Sequence, residues 1–243
     1  MKHKLIMWLA ILFIGGFVIS AEKVEAVTIS VNSLYGGFKD DKKCSLFEAV
    51  LAANTDAKID SCIAGNGADE ILIDIAGEIK IDKTVYIDSD IILRGNKDGT
   101  IINGKNAWTS LLIQFNDVTI SDIEFVNANR APVIDISTHE KDIDNSVDIL
   151  LNNLYIHGNN GTAISYRKEF DRQQNVVVRV NNSLIEKNNG EYGGGVFVDE
   201  CMYSSELPTS LYINNSIIRR INIALFDRVF NCIRRISRAS SCI

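Results

Sequence analysis

His157, in the run Ile156-His157-Gly158-Asn159-Asn160, is the side chain whose chemistry most invites a role, because an imidazole changes charge near neutral pH and can take or give a proton. Hydrolysis of a glycoside asks for more: two carboxylates facing each other across a cleft. No aspartate pair accompanies His157 in its run, so a turn or groove position competes with a catalytic one. The acidic run HEKDIDNSVD, with Glu140, Asp142, Asp144 and Asp148, offers oxygens to calcium, but its spacing is not that of an EF-hand loop. A solvated acidic loop is the plainer account. GEYGGGV, from Gly190 to Val196, lacks the lysine and the following helical pattern of a phosphate cradle, and its glycines suit a turn. These residues point to no cofactor and no metal.

The elements that would have to position such groups begin with export. The basic start MKHK, the apolar run Leu5 to Ser20 and the small residues after it read as a secretory leader, with a cut expected after Ala21 or Ala26. The run is shorter than the roughly 20 residues that cross a bilayer, and no second long one follows, so no membrane span is expected once the leader is gone. A formal net charge of -6 argues against a nucleic-acid partner, which needs a basic face.

In an oxidising compartment the five cysteines are read as disulfide material. Cys44 and Cys62 are the natural pair, and no C-x-x-C or nearby histidine suggests zinc. Cys201, Cys232 and Cys242 remain, so at least one thiol is left over. Between the first two cysteines lies the one helical pattern of the chain. Ser45 and Glu48 form a capping box, and Leu46, Ala49, Val50 and Ala53 make one apolar stripe, with Asn54 suited to the helix end. A helix of about ten residues is marginal alone. The bridge therefore staples a small cap.

After Cys62 the pattern changes to alternation of apolar and polar residues in short runs broken by Gly, Asn and Asp, the mark of half-buried strands. Four segments align without gaps: VTISDIEFVNA from Val118, ILLNNLYIHGN from Ile149, VRVNNSLIEKN from Val178 and LYINNSIIRRI from Leu211, with starts 31, 29 and 33 residues apart. Each carries a polar pair: Ser121-Asp122, Asn152-Asn153, Asn181-Asn182 and Asn214-Asn215. A strand, a tight bend at the pair and a second strand make one coil of a parallel β-solenoid. The asparagines are expected to stack as a buried ladder from coil to coil. Surface turns of a β-sandwich are the competing account. A solenoid leaves its end coils uncovered and needs caps, which gives the stapled helix its place.

CSLFEAVLAAN, the second cysteine followed by IAGNGADEILI, and the later GGGVFV together resemble the CSLREA-type N-terminal region of bacterial exported proteins, themselves similar to polymorphic outer-membrane proteins. The likeness runs from about residue 27 to 215; Phe47 stands where that family usually has a basic residue. It implies an all-β, right-handed parallel β-helix with a short N-terminal capping α-helix, at the cell surface or secreted. Because β-helices also include polysaccharide lyases and hydrolases, two further fragments are weighed. Asn54-Thr55-Asp56 resembles part of a pectin-hydrolase signature but sits where a helix ends, and Arg130 lacks the second arginine of a lyase.

The expected organisation is a leader at 1–26, a cap at 27–68, coils at 69–222 and a basic tail at 223–243. Val27 to Asn215 holds 16 Lys and Arg against 28 Asp and Glu, whereas Ser216 to Ile243 holds six arginines against Asp227 alone. The tail is either a terminal cap or the remainder of a truncated coil array. The function expected is non-catalytic binding or adhesion, with an extracellular polysaccharide or host surface ligand as partner. A β-helix lyase or glycoside hydrolase, with His157 in its site, is the alternative. An incomplete relative without independent function is the third.

Overall fold

Alternation of inward and outward side chains lets a short strand bury one face, and stacking such strands in parallel places like on like. The computed structural model describes residues 26–105, 107, 109–114, 116–129, 131–137, 146–167, 175–191, 193–199 and 210–220, and shows the all-β parallel solenoid that this pattern implies. Residues 1–25 of the leader, Arg130, Glu140, Asp142, Asp144, Cys201, Cys232, Cys242 and the tail 223–243 lie outside the described residues.

Each full coil has three sides. The first is built from β1 (Thr28–Val31), β2 (Asp69–Ile73), β5 (Ile91–Arg94), the first half of β8 (Val118–Val126), the first half of β10 (Val147–His157), β12 (Val176–Asn181) and β15 (Ser210–Asn214), stacked in that order. The second stacks β3 (Gly77–Lys80), β6 (Thr100–Asn103), the second halves of β8 and β10, β13 (Leu184–Glu186) and β16 (Ile217–Arg219). The third stacks β4 (Val85–Ile87), β7 (Leu111–Gln114), β9 (Ile134–Ser137), β11 (Ile164–Arg167) and β14 (Val196–Asp199). Every pairing between these strands is parallel. The sheet thus starts with β1, before the helix, inside the segment read as the cap.

Register turns the alternation into columns. Ile91, Val118, Ile149 and Val178 align inside the first side, Ile79, Ile102, Phe125, Ile156 and Ile185 inside the second, and Val85, Leu111, Ile134 and Ile164 inside the third. All are buried. Each such side chain withdrawn from water contributes about 1.5–3 kcal/mol.

Of the three bends that close a full coil, two place described residues in the left-handed region. At the first, Asp122, Asn153, Asn182 and Asn215 all have positive φ, between 48° and 63°. At the second the positive-φ residues are Asn127, Gly158, Lys187 and Arg220. Asp, Asn and Gly visit this left-handed region at low cost, which is why short polar residues recur at the first bend.

The helix α1 (Leu46–Thr55) packs on β1, β2 and β4 and covers the first coil. Ser45 is its N-cap: the hydroxyl accepts from the Glu48 N–H at 3.2 Å, and the Glu48 carboxylate accepts from the Ser45 N–H at 2.9 Å. The same carboxylate accepts from the Lys39 N–H at 2.8 Å, so the buried Glu48 also fixes the loop before the helix. Cys44 and Cys62 are disulfide-bonded. Asp56, with φ 48°, ends the helix instead of Asn54. Asn54 instead ties α1 to the coil, donating to the Tyr86 carbonyl at 2.7 Å and accepting from the Asp88 N–H at 3.0 Å.

Candidate functional site

The paired asparagines stand on the outside of the wall, not within it. Asn182 Nδ2 donates to Asn152 Oδ1 at 2.9 Å, Asn214 Nδ2 to Asn181 Oδ1 at 3.0 Å, Asn215 Nδ2 to Asn182 Oδ1 at 2.6 Å, and Asn153 Nδ2 to Asp122 Oδ1 at 2.7 Å. These amides are exposed or half-buried. The expectation of a buried ladder at the pairs is therefore corrected: the second residue of each pair has positive φ, and the bend that this produces turns its side chain to solvent.

A buried ladder does exist, six residues further along each coil. Asn159 and Asn188 are buried; Asn159 Oδ1 accepts from the Ala128 N–H at 2.8 Å, and Asn188 Oδ1 accepts from the Asn159 N–H at 3.1 Å. Both follow a positive-φ residue, and both close the aligned segments in the sequence. That shared position was the available signal.

Past the outer amides, the second side presents polar and aromatic groups in two columns. Glu124, Tyr155, Leu184 and Ile217 align in one, and Val126, His157, Glu186 and Arg219 in the other. His157 Nε2 lies 2.7 Å from Glu124 Oε1, and the rings of His157 and Tyr155 stack with centroids 3.9 Å apart. The Tyr155 hydroxyl donates to Glu186 Oε1 at 2.9 Å, while Arg219 Nε donates to Glu186 Oε2 at 2.9 Å. The sequence reading singled out His157 alone of this group.

The guanidinium of Arg219 and then the Tyr155 hydroxyl hold the Glu186 carboxyl down at about 2. In turn the Glu186 carboxylate, which accepts the Tyr155 proton in a hydrogen bond, pushes the phenol above its ordinary range. An acid catalyst must carry a proton at working pH, so Glu186 is a fixed acceptor and not a general acid. What the cluster does chemically is hold the Tyr155 ring in one orientation.

That ring forms part of a groove of about 900 Å³ along the first bend, bordered by Asp122, Asn153, Asn182 and Asn215 and walled by Tyr155 and Leu184. Its course is across the strands, from Gly95 to Asn215, which at about 4.8 Å per strand is about 19 Å. The turn Asn96–Gly99 borders it as well, held by the Asn96 N–H donating to Thr100 Oγ1 at 2.7 Å and by Gly99 at φ 108°. Gly95 is required where it stands, since a Cβ there would lie 1.9 Å from the Asp122 carbonyl oxygen.

Of the acidic run, Asp148 is described, and it belongs to a column of partnered carboxylates. Asp90 Oδ1 accepts from the Asp117 N–H at 2.9 Å and Asp117 Oδ1 from the Asp148 N–H at 2.7 Å, while Asp148 pairs with Arg179. Gly190 and Gly193 form a turn before β14, with a 3.0 Å bond from the Gly193 N–H to the Gly190 carbonyl. Among the described residues no group of three or more His, Cys, Asp or Glu side chains is placed to hold a metal ion, and no helix is long and apolar enough to cross a membrane. Compared with known proteins, the chain matches no family model, no curated protein and no solved structure.

Proposed function

We propose that this chain is an exported β-helix protein of the cell surface or extracellular space, acting in binding or adhesion, and that it holds an extended ligand lengthwise in the groove along the first bend. The observation that carries this reading is the direction of the groove: it crosses five parallel strands, and a ligand laid in it meets an equivalent positive-φ bend in four successive coils, at Asp122, Asn153, Asn182 and Asn215. A polymer with a short repeat fits such a lattice better than a compact molecule. An extracellular polysaccharide or a host surface chain has that form. The leader pattern, the Cys44–Cys62 bridge and the resemblance to CSLREA-type exported proteins support the compartment.

Binding of the exported, oxidised full chain to glycan and extracellular-matrix arrays tests the reading, beside the double variant Asn153→Ala, Asn182→Ala. Retention that the variant loses supports the groove. Retention equal in both proteins would place binding elsewhere, and retention on no array would remove the binding reading.

A further inference from the structure

We infer that the groove takes a neutral polysaccharide and that Tyr155 is the platform on which one sugar ring stacks; this rests on the groove reading and names its ligand class. The argument begins with charge. Two cations line the groove, and each is already neutralised: Arg94 lies 3.2 Å from Glu70 and Lys97 2.9 Å from Asp98. Beyond Asp98, which Lys97 takes up, two carboxylates, those of Asp122 and Glu124, line it as well. A uronate or sulfated chain would enter among these acids with no spare cation among the described lining residues to receive it. Desolvating its charge there would go uncompensated.

The polar groups that remain suit hydroxyls. Side-chain amides both donate and accept, and Asn153, Asn182 and Asn215 repeat at the strand spacing along one rim. Sugars also present an apolar face of C–H bonds, which an aromatic ring can cover. Tyr155 is fixed for that task on two sides: His157 covers one ring face at 3.9 Å, and the hydroxyl is tied to Glu186 at 2.9 Å. His157 lies further along the strand, and the first bend lies behind Tyr155, so the opposite ring face is turned toward the groove. A ring held in place before the ligand arrives loses little freedom on binding. The chemistry of the cluster thereby acquires a purpose: Glu124, His157, Glu186 and Arg219 orient Tyr155.

Affinity electrophoresis of the full oxidised chain tests this, through gels carrying neutral polysaccharides (laminarin, xyloglucan, galactomannan) or acidic ones (polygalacturonate, alginate, hyaluronan). The result expected is retardation by at least one neutral polymer, unchanged between low salt and about 0.5 M NaCl, where the Debye length has fallen to about 4 Å and retention driven by charge is much weakened. Tyr155→Ala should weaken it by about tenfold, the scale of one lost aromatic contact, and Tyr155→Phe by much less. Tyr212→Ala serves as the control, because Tyr212 is 40% exposed on the first side and does not line the groove. Retardation by acidic polymers alone, lost in Asn153→Ala, Asn182→Ala, would overturn the neutral class and leave the groove standing. Neutral binding indifferent to Tyr155→Ala would overturn the platform, and if it were also indifferent to the asparagine variant it would overturn the groove. Retardation by no polymer would overturn both. Equal thermal midpoints of Tyr155→Ala and wild type separate lost binding from lost folding.

Discussion

Asn188 receives Asn159 twice, accepting its backbone N–H at 3.1 Å and its side-chain amide at 2.8 Å through a single oxygen, with both residues buried in the wall of the solenoid. Asn159 Nδ2 also reaches the Phe125 carbonyl at 3.2 Å and the His157 carbonyl at 3.0 Å. The pair thus satisfies the backbone of the second bend across three coils.

Asn159→Leu is accordingly expected to destabilise the fold by about 2–4 kcal/mol, since it strands several buried polar groups at about 1–3 kcal/mol each. Asn152→Leu and Asn181→Leu, on the outer surface, should each change stability by less than about 1 kcal/mol, the scale of a surface substitution. Urea midpoints of the three variants under oxidising conditions decide the matter. A larger loss from Asn181→Leu than from Asn159→Leu would reverse the assignment of inner and outer ladders.

At the first bend the backbone itself makes a demand. Asn182 has φ 52°, so Asn182→Val should cost about 1–2 kcal/mol in strain, whereas Asn182→Gly should cost well below that. The same pair of substitutions at Asn181, which lies in β12 with ordinary extended backbone, should show no such preference for glycine. Thermal unfolding of the four variants is the measurement.

The Cys44–Cys62 bridge closes a loop of 18 residues and should contribute about 3 kcal/mol to the cap. Because coils contact only their neighbours, the loss in Cys44→Ala, Cys62→Ala should be local. Hydrogen exchange is expected to quicken at Val50 and Ile71 while remaining slow at Ile156 and Val180. Uniform quickening along the whole chain would show one cooperative unit instead.

Glu186 makes stability depend on acid. Its folded-state carboxyl is held at about 2, below the ordinary 4.5, chiefly by Arg219 and then Tyr155. A depressed carboxylate contributes stability that is present above pH 4.5 and is lost as pH falls toward 2. Glu186→Gln should therefore be less stable than wild type at pH 6, with the difference shrinking steadily between pH 4.5 and 2. A difference that stayed constant over that window would detach the effect from the carboxylate charge.

Much of the architecture was legible because it is a local pattern repeated. Alternation marks which side of each strand faces inward, the intervals of 31, 29 and 33 residues align the strands, and the Cys44-to-Cys62 segment declares its helix through Ser45 and Glu48. Burial at the bends was not legible in the same way. Two asparagine rows recur at the same interval, and only the backbone turn at Asn153 and Asn182, as against Asn159 and Asn188, decides which row points inward. The Tyr155 cluster is harder still. Tyr155 and His157 share a strand, but their partners lie 31 or 33 residues away, and those contacts form only because inserts of unequal length leave the strands in register. A sequence shows a glutamate, a tyrosine and an arginine in separate neighbourhoods; the stacking of coils makes them neighbours.

Because each coil that the groove crosses contributes one strand width and one bend to it, ligand length is a countable property of this architecture. Duplicating the unit from Val118 to Asp148 would lengthen the trough by about 4.8 Å and supply one more hydrogen-bonding station, leaving the existing ones untouched. Selectivity for chain length can then drift by whole units through tandem duplication, separately from selectivity for chain chemistry, which resides in what stands beside each station. The solenoid is in this sense a ruler whose graduations are set by backbone geometry and whose reading is set by side chains.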